Sequence, residues 1–224
     1  MNEPTSDKAA QPTGPGFVCL DSMVLIHFNR AGCLDVLGSW FGPRAFTAQV
    51  VTEVELRDSA GRHPENAAIL SAEWLEPVAV DDIEDIRLVA ELRRRWGSSG
   101  NKDRGEADII ALCRRHGWTA ITDDEVGRKA AGECGVARVY MLTAIIAAAS
   151  SGLIAPTEAW NLHCSIERRR RMAVLSPDDA HKPVFMACIN QLKKVDERQG
   201  NPEWPMILAV HGLDDVVVRT RRNM

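Results

Sequence analysis

Residues 104–135 have the sequence RGEADIIALCRRHGWTAITDDEVGRKAAGECG, which predicts a helix, a strand and a second helix in succession. Apolar residues recur at helical spacing over 106–113, and basic residues and a glycine then end the segment as helix C-termini often end. Residues 118–122 (WTAIT) are typical of a short buried strand, and Asp123 and Asp124 follow it directly. Because ligands bind at the carboxyl ends of strands in open α/β sheets, this placement is the first indication of a functional site.

The same alternation of strand and helix extends from residue 17 to residue 154. Buried-type strands separated by helical segments predict an α/β fold with a parallel sheet and helices on both faces. Strands are expected at 17–20, 44–47, 71–80, 118–122 and 136–141, with helices in the intervening segments, including 48–59.

The two ends of the chain depart from this alternation. Residues 1–16 are rich in Pro, Gly, Ser and Thr, and we expect a disordered tail there. Residues 157–224 are predicted to form a helical extension, with helices over 157–175 and 178–198 followed by a short apolar segment with a basic end.

Composition excludes several classes of protein. The 224 residues carry a net charge of -4, which argues against general non-specific coating of nucleic acid. No apolar run approaches the roughly 20 residues that a transmembrane helix needs. The N-terminus lacks a basic-then-apolar signal pattern, so we expect a cytoplasmic protein that does not associate with membranes. The six cysteines are scattered without metal-ligand spacing, which favours buried core residues.

Acidic residues lie at four comparable places in the predicted fold. Asp21 follows the first strand, Glu53 lies on a following helix, Glu106 begins another, and Asp123 and Asp124 follow a later strand. Parallel strands that begin and end together could bring these acids into one pocket, where like charges are costly unless a cation neutralises them. Oxygen-only ligands suit Mg²⁺ or Mn²⁺, and such a site can activate water for phosphodiester hydrolysis.

Each of these acids also has a purely structural interpretation. Residues 103–106 and 122–125 both fit a capping box, in which the side chains only satisfy backbone donors. Asp21 could be only a helix N-cap, and Glu53 could lie on a solvated helix face. For one acid alone the structural interpretation is preferred, and the set of four together favours a site.

Two of the four places offer competing acids. Glu106 and Asp108 are two residues apart on a helix and cannot both face one point, so only one should be a primary ligand, and we favour Glu106. Glu55 competes with Glu53 in the same way.

The order and spacing of these motifs resemble the PIN-domain nucleases, the PilT N-terminal type that includes VapC-like toxins. Residues 17–22 (FVCLDS) are similar to the family's first strand ending in Asp-Thr/Ser, and residues 47–53 (TAQVVTE) to its second acidic motif. Residues 105–112 (GEADIIAL) resemble the third motif in its Gly-Glu-Ala form, and residues 122–124 (TDD) resemble the fourth. Residues 151–154 (SGLI) are similar to the usual end of the domain.

The resemblance implies a three-layer α/β/α domain with a central, mostly parallel sheet over residues 17–156. It also implies dependence on Mg²⁺ or Mn²⁺ and RNA as the usual substrate. The family's fourth acid aligns with the third position of Thr-x-Asp, which is Asp124 here and leaves Asp123 auxiliary. The implied catalytic residues are Asp21, Glu53, Glu106 and Asp124, and the implied metal ligands are Asp21, Glu106, Asp124 and Asp123.

Three further residues are candidates for contacts with substrate. Ser22 could hydrogen-bond the neighbours of Asp21 or a metal-bound water, or it could be a helix cap. Arg128 and Lys129 lie about one turn beyond Asp124 and could contact RNA phosphates, although a solvated helix face is the commoner role.

The first hypothesis is therefore a metal-dependent endoribonuclease. The resemblance implies that it is the toxin of a toxin–antitoxin pair, with an antitoxin as partner and a homodimer as a further option. The alternative is a catalytically silent PIN-like module that binds a protein or RNA partner. A weaker option is another Mg²⁺-dependent α/β phosphotransfer protein, and the absence of a Gly-rich phosphate loop counts against an NTPase.

Overall fold

A parallel β-sheet forms the centre of the protein in a computed structural model, which describes residues 11–48, 64–100, 103–170, 175–200, 203–210 and 212–222. Within these residues the sheet has five strands in the order β3-β2-β1-β4-β5, and every neighbouring pair is parallel. The strands are β1 Val18–Leu20, β2 Ala45–Thr47, β3 Leu75–Pro77, β4 Thr119–Ile121 and β5 Arg138–Val139.

Helices cover both faces of the sheet. In the domain they are α1 Ser22–Arg30, α2 Leu34–Phe41, α3 Ala67–Leu70, α4 Ile83–Arg95, α5 Arg104–His116, α6 Glu125–Glu133 and α7 Met141–Ser150. Toward the C-terminus follow α8 Pro156–Arg170, α9 Lys182–Arg198 and α10 Leu213–Arg222. Short 3-10 turns lie at Gly42–Arg44, Pro64–Asn66, Asp179–His181 and Met206–Ala209. The helix predicted over 48–59 falls largely outside the described residues.

Alternation of side chains along the strands divides the core into two halves. Val18 and Leu20 of β1 pack in one apolar cluster with residues of α1, α2, α7, α8 and α9. Cys19, between them, packs in a second cluster with residues of α4, α5 and α6. Because successive strand residues point to opposite faces, this division is the mark of a sheet covered on both sides. The predicted three-layer α/β/α architecture with a C-terminal helical extension is confirmed.

The strand order places the carboxyl end of β1 at a topological switch point. β1 pairs with β2 on one side and with β4 on the other, so the chain leaves β1 in one direction and later returns on its opposite side. Ligands of open α/β sheets bind in the crevice at such a point. Asp21 follows β1 there, and its backbone N–H donates to the carbonyl oxygen of Ile121 in β4 at 3.1 Å.

All five strands are shorter than the sequence predicts, and hydrogen bonds explain the late start of β3 and the early end of β5. The predicted strand over 71–80 starts only at Leu75, because residues before it turn back on α3, with the Ala72 N–H donating to the Ile69 carbonyl oxygen at 3.2 Å. The predicted strand over 136–141 ends at Val139, because the Met141 N–H donates to the Asp123 carboxylate at 2.9 Å and begins α7.

The C-terminal extension shares the core of the domain. All ten residues of α7 are buried, since it lies between the sheet and the helices α8 and α9. A helix that is apolar on all sides needs such cover. Trp160, Phe185 and Leu192 of the extension supply it within the same apolar cluster as β1. The last segment, expected within the helical extension as a short apolar stretch with a basic end, contains the helix α10. The domain boundary at 156/157 stays a prediction.

Residues 11–16 pack on the domain, which differs from the disordered tail that was expected over 1–16. The Trp118 indole N–H donates to the Pro12 carbonyl oxygen at 2.9 Å, and the Gly14 N–H donates to the His116 carbonyl oxygen at 2.8 Å. No helix in the described part of the chain is long and apolar enough to span a bilayer.

Candidate functional site

Asp21 is buried at the carboxyl end of β1 and is the N-cap of α1. Its Oδ1 accepts hydrogen bonds from the Met23 N–H at 3.3 Å and the Ser22 hydroxyl at 3.2 Å. Its Oδ2 accepts from the Thr122 hydroxyl at 2.7 Å, which joins the ends of β1 and β4. Burial raises the pKa of Asp21, these three hydrogen bonds lower it in part, and the charge of Asp123 raises it further.

The loop that follows β4 holds its two carboxylates by capping two different helices. Asp124 is the N-cap of α6, and its Oδ1 accepts from the Gly127 N–H at 2.6 Å. Asp123 accepts from the Met141 N–H at the start of α7. The Thr122 hydroxyl, which donates to Asp21, also accepts from the Asp124 N–H at 3.2 Å, so it fixes both acids together. The predicted capping box over 122–125 is replaced by these bonds.

Glu106 lies in the first turn of α5 and is close to the carboxylates of Asp21 and Asp124. The capping box over 103–106 does not form, because Asp103 has a left-handed backbone with φ of 55° and makes no side-chain capping bond. Gly127 lets the start of α6 approach Glu106 closely: a Cβ added there would lie 3.3 Å from Asp124 Oδ1 and 3.4 Å from Glu106 Cγ. The structure therefore brings Glu106 and Asp124 together.

The electrostatics of Glu106 show that these acids form one cluster. Burial is the largest cause that raises the pKa of Glu106 from 4.5 to about 7, and the charges of Asp21, Asp124 and Asp103 raise it further. Burial alone raises the pKa of an acid, and the further rise caused by three aspartates shows that Glu106 lies near other negative charges. A bound cation would offset the free-energy cost of ionising Glu106 beside these acids.

The donors at this site are carboxylate and hydroxyl oxygens, which is the chemistry that Mg²⁺ and Mn²⁺ prefer. Within the described residues no three Asp, Glu, His or Cys side chains already stand at the spacing of a metal site, so these carboxylates would have to draw together around a bound cation. Glu53 and its competitor Glu55 fall in 49–63, outside the described residues. The donor types and the raised pKa of Glu106 fit a divalent cation.

Asp108 contacts a different group from those around Glu106. Its side chain is buried and lies 3.7 Å from the Arg104 Nε. The choice of Glu106 from the pair stays a prediction. Ser22 is buried against Asp21, to which it donates, and Lys129 is exposed on α6.

Arg128 requires a correction to the expected phosphate contact. Its side chain is buried, its guanidinium forms an ion pair with Asp214 of α10, and its Cζ lies 3.4 Å from the centre of the Tyr140 ring. Since the ion pair and the ring occupy the guanidinium, Arg128 is not exposed to a substrate in this structure.

Sequence reasoning missed several residues that shape the site. For Thr122 the available signal was its position two residues before Asp124. Gly127 carried no signal beyond its place in a helix. Tyr140 and Asp214 are joined to the site only through long-range contacts.

Comparison with known proteins gives a match to a protein family. A family described as DUF3368, a PIN domain, matches residues 17–164. No curated protein and no solved structure matched the chain significantly. PIN domains are generally nucleases and typically use divalent metal ions. The match covers the sheet, the acidic cluster and the first part of α8, and the chain belongs to the PIN-domain family.

Proposed function

We propose that the protein is a metal-dependent endoribonuclease that hydrolyses RNA phosphodiester bonds. The observation that carries this proposal is the acidic cluster at the switch point of the sheet, where burial and neighbouring acids raise the pKa of Glu106 to about 7. Ionising Glu106 beside these acids costs stability when no cation is bound, whereas a site for a divalent cation requires such a group of carboxylates.

Each acid has a specific role in the proposed metal site. Asp21, Glu106 and Asp124, with Asp123 assisting, would hold Mg²⁺ or Mn²⁺, and Glu53 would complete the set of catalytic carboxylates. A bound divalent cation supplies an activated water and stabilises charge on the phosphoryl oxygens. The chain's own contribution is orientation: Ser22 and Thr122 fix both oxygens of Asp21, and the Gly127 N–H fixes Asp124.

Exposed side chains beside the cluster support a nucleic-acid substrate. Met23 and Val126 are large apolar residues exposed by 38% and 56%, and each lies two residues beyond an acid of the cluster. Exposed apolar side chains beside the acids could pack on an unstacked base of single-stranded RNA. Lys129 is exposed on the same helix as Val126 and could contact a phosphate.

The cellular setting follows the family resemblance. We propose a toxin–antitoxin pair, in which the antitoxin would block the acidic cluster with a basic side chain. We also propose that the protein forms a homodimer. Cytoplasmic RNA is the substrate pool that this setting implies.

A second candidate function is a PIN-like module that binds a protein or RNA partner without turnover. The observation that favours it is that Asp21, Asp123 and Asp124 each accept a backbone N–H at a helix start. The fold alone could therefore retain all three acids.

One experiment separates these candidates. Purified protein is incubated with total RNA, and with single-stranded DNA in parallel, in Mg²⁺ or Mn²⁺ and again in EDTA. Asp21→Asn is compared with Asp35→Asn, an exposed acid in the first turn of α2 that serves as a matched control. Metal-dependent cleavage of RNA that is lost only in Asp21→Asn is expected. Absence of both cleavage and Mn²⁺ binding in wild type would refute the nuclease proposal and leave the binding module.

A further inference from the structure

A buried network joins the C-terminal extension to the loop that carries the acidic cluster. Its centre is Arg128, whose guanidinium lies against the Tyr140 ring and donates to the Thr122 carbonyl oxygen at 3.4 Å. Within the described residues Arg128 is one of few buried basic side chains, with 6% exposure. A buried charge of this kind needs a partner.

Asp214 supplies that partner from the first turn of α10. One of its oxygens accepts from the Arg128 guanidinium, and the other accepts from the Tyr140 N–H at 3.0 Å. Both oxygens are thus used, and each holds a different segment of the domain. Asp214 lies 50 residues beyond the end of the family match at residue 164, so the extension provides this contact.

The segments that Asp214 holds are the two that position the carboxylates after β4. Arg128 contacts the carbonyl of Thr122, the residue whose hydroxyl bonds Asp21. Tyr140 directly precedes Met141, whose N–H donates to Asp123. A displacement of Arg128 or Tyr140 would therefore pass to the carboxylate oxygens through one or two hydrogen bonds.

We propose that Asp214 is a positioning residue for the acidic cluster, so that the C-terminal extension completes the site that the PIN domain begins. The expected effect of Asp214 on RNA cleavage rests on the proposed nuclease function. The expected effect of Asp214 on the position of the carboxylates does not, because its contacts exist without substrate. Outer partners that orient ligating carboxylates commonly contribute about 10-fold or more to metal affinity.

The test compares Asp214→Asn with Asp215→Asn in the full chain. Asp215 is the next residue on α10 and is exposed. Its replacement removes the same charge from the same helix turn but leaves the contacts of Asp214 with Arg128 and Tyr140 in place. For Asp214→Asn we expect Mn²⁺ affinity measured by calorimetry to fall about 10-fold, and kcat on RNA to fall similarly with KM within about twofold. Asp215→Asn should match wild type in both.

Two spectroscopic measurements need neither metal nor substrate. Tyr140 is the single tyrosine of the chain, so its ring signals in an NMR spectrum report on the Arg128 contact without ambiguity. The amides of Gly127 and Met141 donate to the carboxylates of Asp124 and Asp123, so their hydrogen exchange reports on the loop. In Asp214→Asn the ring signals should shift and both amides should exchange about 10-fold faster.

The outcomes are distinguishable. If Tyr140 shifts in Asp214→Asn while Mn²⁺ affinity, kcat and both amides stay at wild-type values, Asp214 is only structural and the inference is overturned. A rise in affinity or kcat would also overturn it, because the contact would then restrain the site.

Failure of the proposed function gives a different result. If wild type binds Mn²⁺ without cleaving RNA, the affinity and exchange measurements still decide the role of Asp214. If wild type does not bind Mn²⁺, the exchange of the two amides decides it. Should Asp214→Asn fail to fold, Asp214→Glu keeps the charge but displaces both oxygens, and a smaller loss in the same direction is expected.

Discussion

Replacing Glu106 by Gln should stabilise the protein in the absence of divalent metal. Gln resembles the protonated acid and cannot carry the charge that burial and three neighbouring acids oppose. The pKa of Glu106 lies at about 7 in the folded protein against an ordinary 4.5, and a tenfold change in protonation corresponds to about 1.4 kcal/mol, so the ionised form costs at most about 3.4 kcal/mol. Because the side chain is partly exposed and screened by solvent, we expect a gain of about 1–2 kcal/mol.

The sign of the pH dependence follows from where the proton binds. Between pH 4.5 and 7 the folded protein holds a proton on Glu106 that the unfolded chain has already released. The contribution of Glu106 to the free energy of unfolding therefore falls as the pH rises through this window and stays constant above it. Glu106→Gln lacks this contribution, so its advantage should be small near pH 4.5 and reach its full value at pH 8.

Urea unfolding in EDTA at pH 5 and pH 8 measures both effects. Glu91→Gln, an exposed acid on α4, is the matched control and should change stability by less than about 0.5 kcal/mol at either pH. Added Mn²⁺ should reverse the order of wild type and Glu106→Gln, since only wild type keeps the carboxylate. Equal stability of the two proteins at pH 8 in EDTA would refute the reasoning that burial and the neighbouring acids disfavour the charge of Glu106.

Two further predictions test the support of the acids and the contact with substrate. Thr122→Val should cost about 1–3 kcal/mol in urea unfolding, because it removes the donor to Asp21. Thr119→Val is its control: the Thr119 hydroxyl is buried and has no hydrogen-bond partner in the described structure, so the change should cost less than about 1 kcal/mol or stabilise, and an equal cost for both would contradict the role of the hydrogen bond. Lys129→Ala should weaken RNA binding and lower the slope of log affinity against log salt by about 0.7, measured by fluorescence anisotropy. An unchanged slope would remove Lys129 from the phosphate contacts.

Local sequence predicted the part of the site that local structure builds. An apolar strand followed at once by an acid places that acid at the carboxyl edge of a parallel sheet, and both Asp21 and Asp124 lie there. Their capping bonds reach only two or three residues along the chain, so the pattern that indicated them needed no knowledge of the tertiary fold.

Glu106 shows where local reasoning leaves two answers. The spacing of 103–106 allowed a capping box as well as a ligand, and the backbone of Asp103 decides between them. With φ of 55° that residue does not place its side chain for capping. A left-handed conformation at a non-glycine residue depends on the surrounding fold, which the sequence pattern does not contain.

Arg128 shows what local reasoning cannot provide. A basic residue one turn into a helix, beside an acidic site, favours an exposed position and a phosphate contact. Its actual partner, Asp214, is 86 residues away and lies on α10, in a segment whose helix bounds the sequence did not give. Long-range pairing follows from how the extension packs on α7 and β5, and no periodicity in the sequence encodes it. The same reason explains why the start of α7 at Met141 could not be predicted.

The double role of the aspartates determines how the function can be tested. Asp21 accepts at Oδ1 from backbone and hydroxyl, and at Oδ2 from the Thr122 hydroxyl. An Asn at this position keeps the oxygen that caps α1 and presents a donor to Thr122, whose hydroxyl can rotate to accept it. Capping and packing are therefore retained while the charge is removed. Alanine would remove the cap as well, and a loss of activity could then come from a displaced α1. Loss of cleavage in Asp21→Asn with wild-type stability would consequently report on the negative charge, which is the property that distinguishes a metal site from a helix cap.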